Sequence, residues 1–348
     1  MSFLTLAKLS KTFPDGTPAV KSIDLSVARG QFVVLLGPSG CGNTTTLRMI
    51  AGLELPTNGT ITLDGKDVTQ FRPSERDVGF VFQFYALYPH LCVKDNIAFP
   101  LVAMGLSGRE VERTVTETAD RLGLTALLRR YPKQLSGGDQ QRVSLARAIV
   151  RNPKLWLMDE PLGTLDADQR LLMREFLRAR QLEAGITTLY VTHDQEEAMS
   201  LADLVGVMAA GETRQPGRPA AVYDRPADRF VANFVGSPGM NFIDGRIESG
   251  QFIAPGLRLP IGASVNDRPV TLGVRPEHLL LESSGTISGS VVLDEYLGSH
   301  RFVHVQTGAT RIVARVSVDV PIDATSSIAL APDPAQVHLF GADGRRLA

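Results

Sequence analysis

Cysteine is scarce. The 348-residue chain has two, Cys41 and Cys92, which excludes a disulfide framework and fits a reducing cytosol. Both thiols are expected to pack inertly, as small hydrophobes. An excess of charge of either sign is missing too. Lys and Arg number 36 against 37 Asp and Glu, a net charge of −1, so nothing electrostatic argues for a nucleic-acid partner. Long apolar runs are absent. Stretches such as Phe32 to Leu36 and Leu204 to Ala210 fall far short of the roughly 20 residues a helix needs to cross a bilayer. No N-terminal signal-peptide pattern is present, so if the protein works at a membrane, other chains are expected to supply the spans. There is no internal repeat and no low-complexity tract. What remains is ordinary: 43% hydrophobic and 21% charged, a globular chain long enough for two domains.

The pattern changes along the chain. Residues 3–9, 21–28, 31–36, 60–63 and 78–82 read as strands, with Pro14-Asp15-Gly16 as turn chemistry between the first two. Between about 93 and 151 the period becomes helical: Val111, Val115, Ala119 and Leu122 fall on one helix face. Strands at 155–158, 188–192 and 204–209 then alternate with helices at 166–183 and 195–202. This is the pattern of an α/β core on a mainly parallel sheet. Gly236-Ser237-Pro238-Gly239 reads as a linker, and beyond it short β-type runs recur at 270–274, 289–293, 302–305 and 311–316. Their spacing predicts a small all-β, barrel-like domain. The expected division is an α/β domain over 1–235, with a helical subdomain at about 84–151, and a β-rich domain over 236–348.

The stretch that organises the chain is Gly37-Pro38-Ser39-Gly40-Cys41-Gly42-Asn43-Thr44, between an apolar strand and the helix opening at Thr45. Strand, glycine-rich loop and helix make a phosphate-binding P-loop, G-x-x-x-x-G-K-[ST]. Its backbone N–H groups and the helix N-terminus together favour an oxyanion. Thr44 stands where a hydroxyl would hold Mg²⁺. Asn43 stands where the motif has lysine.

Two further motifs support the phosphate reading. Leu155 to Pro161 is an apolar strand ending in two carboxylates. Asp159 would lie beside the loop and organise Mg²⁺ through water. Glu160 at the strand tip suits a general base for an attacking water. Read alone, these two residues equally suit a solvated strand end. Leu135-Ser136-Gly137-Gly138-Asp139-Gln140-Gln141-Arg142 opens an apparent helix, a backbone anion site or a plain helix N-cap by Ser136.

This last stretch resembles the signature motif of the ABC-type ATPases, the ATP-binding cassettes, and the resemblance extends along the chain. Gln83 looks like the Q-loop glutamine that senses Mg²⁺ and the γ-phosphate. Gly163-Thr164-Leu165-Asp166 is similar to the D-loop, and His193 in Val191-Thr192-His193-Asp194 to the H-loop histidine that contacts the γ-phosphate. Phe13 sits where the family stacks a ring on adenine, although a core Phe would look the same. The resemblance implies a P-loop NTPase fold binding ATP and Mg²⁺. It implies a dimer in which Ser136, Gly137 and Gly138 of one cassette face the P-loop of the other. The segment 85–91, after the Q-loop, would receive a coupling helix from a transmembrane permease subunit; from the residues alone, its aromatics equally suit packing.

Tyr223 to Ala227, Phe230 to Phe234 and Leu272-Gly273-Val274-Arg275-Pro276-Glu277-His278 resemble the carbohydrate and sn-glycerol-3-phosphate importer subfamily, whose β-rich, OB-like domain is regulatory. Beyond about 280 the resemblance loosens, and Tyr296-Leu297-Gly298 is its clearest remaining element. The implied setting is the cytoplasmic face of the inner membrane, with an extracytoplasmic solute-binding protein as an indirect partner and no nucleic acid. A DNA-repair or translation ABC protein finds no support: there is no long coiled-coil insertion, second cassette or basic stripe.

Asn43 is the main departure. It admits a degenerate partner subunit, a variant of an active enzyme, or compensation by another group such as Arg48. Retention of Glu160, Gln83, His193 and Ser136 weighs against long decay, and the lost charge predicts weak turnover. Gly163 and Phe84 are lesser departures from the pattern.

Overall fold

A computed structural model describes residues 2–261, 267–283, 285–322 and 327–347. The chain divides into two compact units, Met1–Pro219 and Ala220–Ala348.

The first unit carries two sheets. Strands β1 (Ser2–Thr12), β2 (Pro18–Ala28), β4 (Asn58–Leu63) and β5 (Lys66–Asp67) form an antiparallel sheet in the order β2-β1-β4-β5. β1 and β2 alternate buried and exposed side chains because only one face meets the core. The second sheet has six strands, ordered β10-β9-β3-β8-β7-β6. They are β3 (Phe32–Leu36), β6 (Val78–Val81), β7 (Leu155–Asp159), β8 (Thr187–Thr192), β9 (Leu204–Ala209) and β10 (Glu212–Gly217). All pairings are parallel except β9 with β10. β3, β7 and β8 are buried throughout, which is why β3, and β7 as far as Met158, read as apolar runs rather than alternations, while β8 buries three threonines among its apolar residues.

The α-helices among the described residues of this unit are α1 (Asn43–Ala51), α2 (Val93–Ala103), α3 (Gly108–Arg121), α4 (Gly137–Ile149), α5 (Ala167–Ala184) and α6 (Gln195–Leu201). Their ends follow local chemistry. Ser107 and Glu110 form a reciprocal capping box on α3. Asp166 caps α5 by accepting from Gln169 N at 2.8 Å, and Gly185, at φ 61°, closes it. The α3 face predicted from spacing is the buried one: Val111, Val115, Ala119 and, just past the helix, Leu122.

The second unit opens with two short helices, α7 (Pro219–Asp224) and α8 (Arg229–Phe234). One antiparallel sheet follows in the order β13-β12-β11-β14-β20. Its strands are β11 (Asn241–Glu248), β12 (Gln251–Ala254), β13 (Leu257–Pro260), β14 (Arg268–Val274) and β20 (Val337–Phe340). The other sheet runs β15-β19-β16-β17-β18, with β15 (Leu279–Leu281), β16 (Ile287–Tyr296), β17 (Arg301–Thr307), β18 (Thr310–Val316) and β19 (Ser327–Pro332). The sheets share one core, with Phe252 and Leu272 from the first meeting Val303, Ile312 and Leu330 from the second.

Arg275 organises this unit. It is 1% exposed, donates to the carbonyls of Val235 and Tyr223 at 2.7 Å each, and stacks 3.6 Å from the Tyr223 ring centre. The Tyr223 hydroxyl donates to Glu277, and burial with that carboxylate pushes the phenol up to about 12. The Arg-Pro-Glu stretch at 275–277 therefore clamps the α7 tyrosine onto the β-rich core. Gly236 has φ 120°, and a Cβ there would lie 2.7 Å from Arg275 Nη1.

Candidate nucleotide site

The site collects at the carboxyl ends of parallel strands, where open α/β sheets bind ligands. The loop after β3 is Gly37 to Gly42, the loop after β6 carries Gln83, β7 ends in Asp159 with Glu160 just after it, and β8 runs into His193. Topology thus gathers residues far apart in sequence.

Gly40 and Gly42 have φ of 80° and 100°, a conformation that side chains resist. The loop is also tightly backed. A Cβ on Gly42 would lie 2.4 Å from the Ala19 carbonyl, and one on Gly37 2.5 Å from that of Met208. Cys41 is buried, and that burial raises its thiol pKa, so it packs rather than reacts. Gly37 through Thr45, with Ala19, Glu160 and Val191, line a cavity of about 130 Å³. Pro38, Ser39 and Thr45 belong to that wall.

Thr44 Oγ1 donates to Asp159 Oδ1 at 2.8 Å. Burial raises the Asp159 carboxyl, opposed by the Thr44 hydrogen bond; the Glu160 charge raises it further and the Arg48 guanidinium lowers it. A buried carboxylate bonded to a threonine hydroxyl, beside a phosphate-type loop, suits a divalent cation whose other ligands are phosphate and water. Among the described residues, no three His, Cys, Asp or Glu side chains gather as a metal cluster. A hydroxyl-plus-carboxylate site of this kind requires none.

Glu160 is held from two sides. Gln83 Nε2 donates to its Oε2 at 2.9 Å, and His193 Nδ1 lies 3.1 Å from its Oε1. Its own φ is 45°, so the strand tip turns the carboxylate out of the sheet toward the cavity. Gln83, Glu160 and His193 therefore meet in one place.

Asn43 is 7% exposed and its Nδ2 donates to the Leu35 carbonyl at 3.3 Å. The amide reaches back to β3 and brings no charge. Arg48 is exposed, its charge acts on Asp159, and it does not line the loop cavity, so it is not a replacement for the missing lysine.

Other sequence-picked residues lie outside this cavity. Ser136 caps α4, accepting from Asp139 N at 3.1 Å, with Gly137 and Gly138 in the first turn. A Cβ on Gly138 would come 2.6 Å from Gln169 Oε1, so glycine lets α4 approach α5. Asp166 serves as the α5 cap. Phe13 is half-buried in the β1–β2 turn, with Lys11 Nζ 5.3 Å from its ring centre.

Several supporting residues carried no motif. Arg170 donates to Asp194 at 3.1 Å and to the Leu165 carbonyl at 3.2 Å, tying the turn before α5 to the one before α6. Glu197, 2% exposed, accepts from Tyr190 and Thr192 at 2.7 and 2.9 Å, and burial raises its carboxyl pKa. These bonds fix the end of β8 and with it His193. Arg147 of α4 donates to the carbonyls of Tyr85 and Ala86, which have φ of 36° and 49°, anchoring the segment after Gln83. All three residues read as ordinary helix charges until the fold places them.

Comparison with known proteins decides the assignment. The ABC transporter family profile matches residues 20–163, the MalK OB fold domain profile 236–279 and the TOBE domain profile 272–340. The sn-glycerol-3-phosphate import ATP-binding protein UgpC of Salmonella choleraesuis is 44% identical over the full length of both chains. The chain belongs to the ABC transporter family, as an ATP-binding subunit. The trehalose import ATP-binding protein SugC of Mycobacterium tuberculosis is 41% identical over 99% of this chain and 97% of its own. Among solved structures, a dimeric post-hydrolysis state of the ATP-binding cassette MJ0796 with ADP and Pi matches with a TM-score of 0.59 and 31% identity. It covers 62% of this chain and 98% of that one. ATP-binding subunits of this family are ATPases coupled to transport, working as paired cassettes on membrane permease subunits. Among the described residues no helix is long and apolar enough to cross a membrane.

Proposed function

We propose that this chain hydrolyses Mg·ATP to drive import of a phosphorylated polyol or a sugar, with sn-glycerol 3-phosphate and trehalose as the first solutes to test. The observation that carries the chemistry is the convergence of Gln83 and His193 on Glu160 beside Gly37–Thr45. The solutes come from the relatives, since membrane and solute-binding proteins select the cargo.

The chain's own groups divide the work. Backbone N–H groups of Gly40 to Thr45 hold the β- and γ-phosphates. Thr44 and Asp159 would hold Mg²⁺, which supplies charge neutralisation of the phosphates when bound. Glu160 accepts a proton from the attacking water, with Gln83 and His193 orienting its two oxygens. Ser136 and Gly138 act on the nucleotide of a second copy, which is why they lie outside this chain's own cavity. Arg147, joining α4 to the segment after Gln83, transmits closure of that pair to a permease at the inner face of the membrane. The β-rich unit, with the boundary expected at 236, serves regulation.

The test is reconstitution with the cognate permease and solute-binding protein in proteoliposomes. ATP-dependent uptake of labelled sn-glycerol 3-phosphate or trehalose is expected. Failure of the chain to assemble with any permease subunit would contradict the importer reading.

A further inference from the structure

The turn that opens α4 already holds an anion of its own. Asp139 stands in the first turn of the helix, whose N-terminus favours negative charge. Ser136 makes two bonds to it. Its Oγ accepts from the Asp139 N–H at 3.1 Å, which caps the helix, and its hydroxyl donates to Asp139 Oδ2 at 2.8 Å. Capping needs only the first bond. The second commits the one proton that the serine hydroxyl has. Arg142 donates to the other carboxylate oxygen, Oδ1. Burial raises the Asp139 carboxyl, but the bonds from Ser136 and Arg142 outweigh it and hold the group below its usual range. It is therefore ionised at neutral pH and accepts both bonds. Ser136 and Gly137 are exposed, and the Asp139 and Arg142 side chains are 19% and 30% exposed, so a second copy can reach the turn.

We propose that Asp139 is a positioning residue of the composite site: it withholds the Ser136 hydroxyl from the nucleotide of the paired copy, and so sets how readily two cassettes close on ATP. An incoming phosphate needs a donor from Ser136 and meets a hydroxyl turned to a carboxylate. That carboxylate also repels the phosphate and cancels the Arg142 charge that would attract it. Closure must exchange the serine–carboxylate bond for a serine–phosphate bond, with Arg142 keeping the carboxylate. Arg142 is seated for that, half-buried beside the end of α3, where a Cβ on Gly123 would lie 3.5 Å from its Nη1. The rival role for Asp139 is a plain helix-end charge, which would stabilise α4 and do nothing to the nucleotide.

The inference rests on the paired-cassette reading above, and the experiment separates the two. Dimerisation of the purified full chain is followed by sedimentation at saturating Mg·ATPγS, a slowly hydrolysed analogue. The parent is compared with Asp139→Ala, Asp139→Asn, Ser136→Ala and the double variant Ser136→Ala/Asp139→Ala. Analogue binding by the single chain is the control, and it should be the same for the parent and both Asp139 variants, because Asp139 does not line this chain's own cavity. Asp139→Ala is expected to lower the dimer Kd by about 10- to 100-fold for each of the two composite sites, the worth of one charged hydrogen bond regained. Asp139→Asn removes the charge but keeps an acceptor, and should fall between. Ser136→Ala should cost the Asp139→Ala chain about tenfold more than it costs the parent. A lower melting temperature for Asp139→Ala with unchanged dimerisation overturns the inference in favour of the helix-end charge. Equal losses on Ser136→Ala in the two backgrounds overturn it too, by showing that the hydroxyl reaches nucleotide whatever Asp139 does. Weaker dimerisation of Asp139→Ala overturns it by making the carboxylate an attractive contact. Analogue binding by every chain with no dimer from any of them overturns the paired-cassette reading, and this inference with it.

Discussion

Replacing Asn43 by lysine tests how much of the ATPase depends on one side chain. The present amide makes one hydrogen bond, at 3.3 Å to the end of β3, and leaves a buried acceptor unpaired. A lysine there would add a charged hydrogen bond to the phosphates, about 1.5–3 kcal/mol. At about 1.4 kcal/mol per decade this is roughly 10- to 100-fold in ATP affinity. Turnover should gain more, because a preorganised donor facing charge that shifts in the transition state contributes about 10²–10³-fold. The cost falls on the nucleotide-free state, where a buried ammonium lacks an anion and the Leu35 carbonyl loses its donor. Asn43→Lys should therefore unfold at a lower temperature than the parent without ATP and regain stability with Mg·ATP. The assay is phosphate release at saturating Mg·ATP. Rates within twofold of each other, from two folded proteins, would refute the reasoning and show that another group already supplies the charge.

Other consequences concern buried charges. Asp159→Asn should leave the nucleotide-free protein as stable or more stable, because burial already disfavours the carboxylate; Mg²⁺-dependence of ATP affinity, read by calorimetry, should disappear. The raised Asp159 pKa has a definite sign: the folded state holds more protons just above the usual value of 3.8, so its contribution to stability falls as pH rises through that window. Arg275→Ala removes two charged donors from buried carbonyls and should cost the β-rich unit roughly 3–6 kcal/mol in urea unfolding. His338 is lowered to about 4 by burial and by the charges of Arg346, Arg275 and His278. The unfolded state then binds the extra proton below about 6.5, so stability is lost between there and about 4. His338→Gln should flatten that fall in a melting-temperature series.

The sequence showed the site better than its supports. The P-loop, the acidic strand end, Gln83 and His193 are fixed-spacing motifs, and parallel topology then forces them together. Buried strands β3 and β7 were legible as short apolar runs, and α3 by its period. Strands β11, β12 and β13 were not read, because short antiparallel strands broken by glycines such as Gly245 carry little periodic signal. Arg170, Glu197 and Arg147 were missed for a different reason. A helix charge gains meaning only when folding brings it to a carbonyl or hydroxyl distant in sequence, and nothing local marks that. Asn43 was visible at once as a departure, but its inward hydrogen bond and its unpaired oxygen depend on where β3 ends relative to α1.

The central claim is that Glu160, oriented by Gln83 and His193, takes the proton from water attacking ATP held by Gly37–Thr45. Single-turnover hydrolysis of γ-labelled ATP by the parent chain and by Glu160→Gln, with binding measured in parallel, addresses it most directly. The account predicts equal binding and a loss of about 10²–10⁴-fold in the hydrolysis rate, the worth of a positioned general base. Equal hydrolysis by the two chains would contradict it.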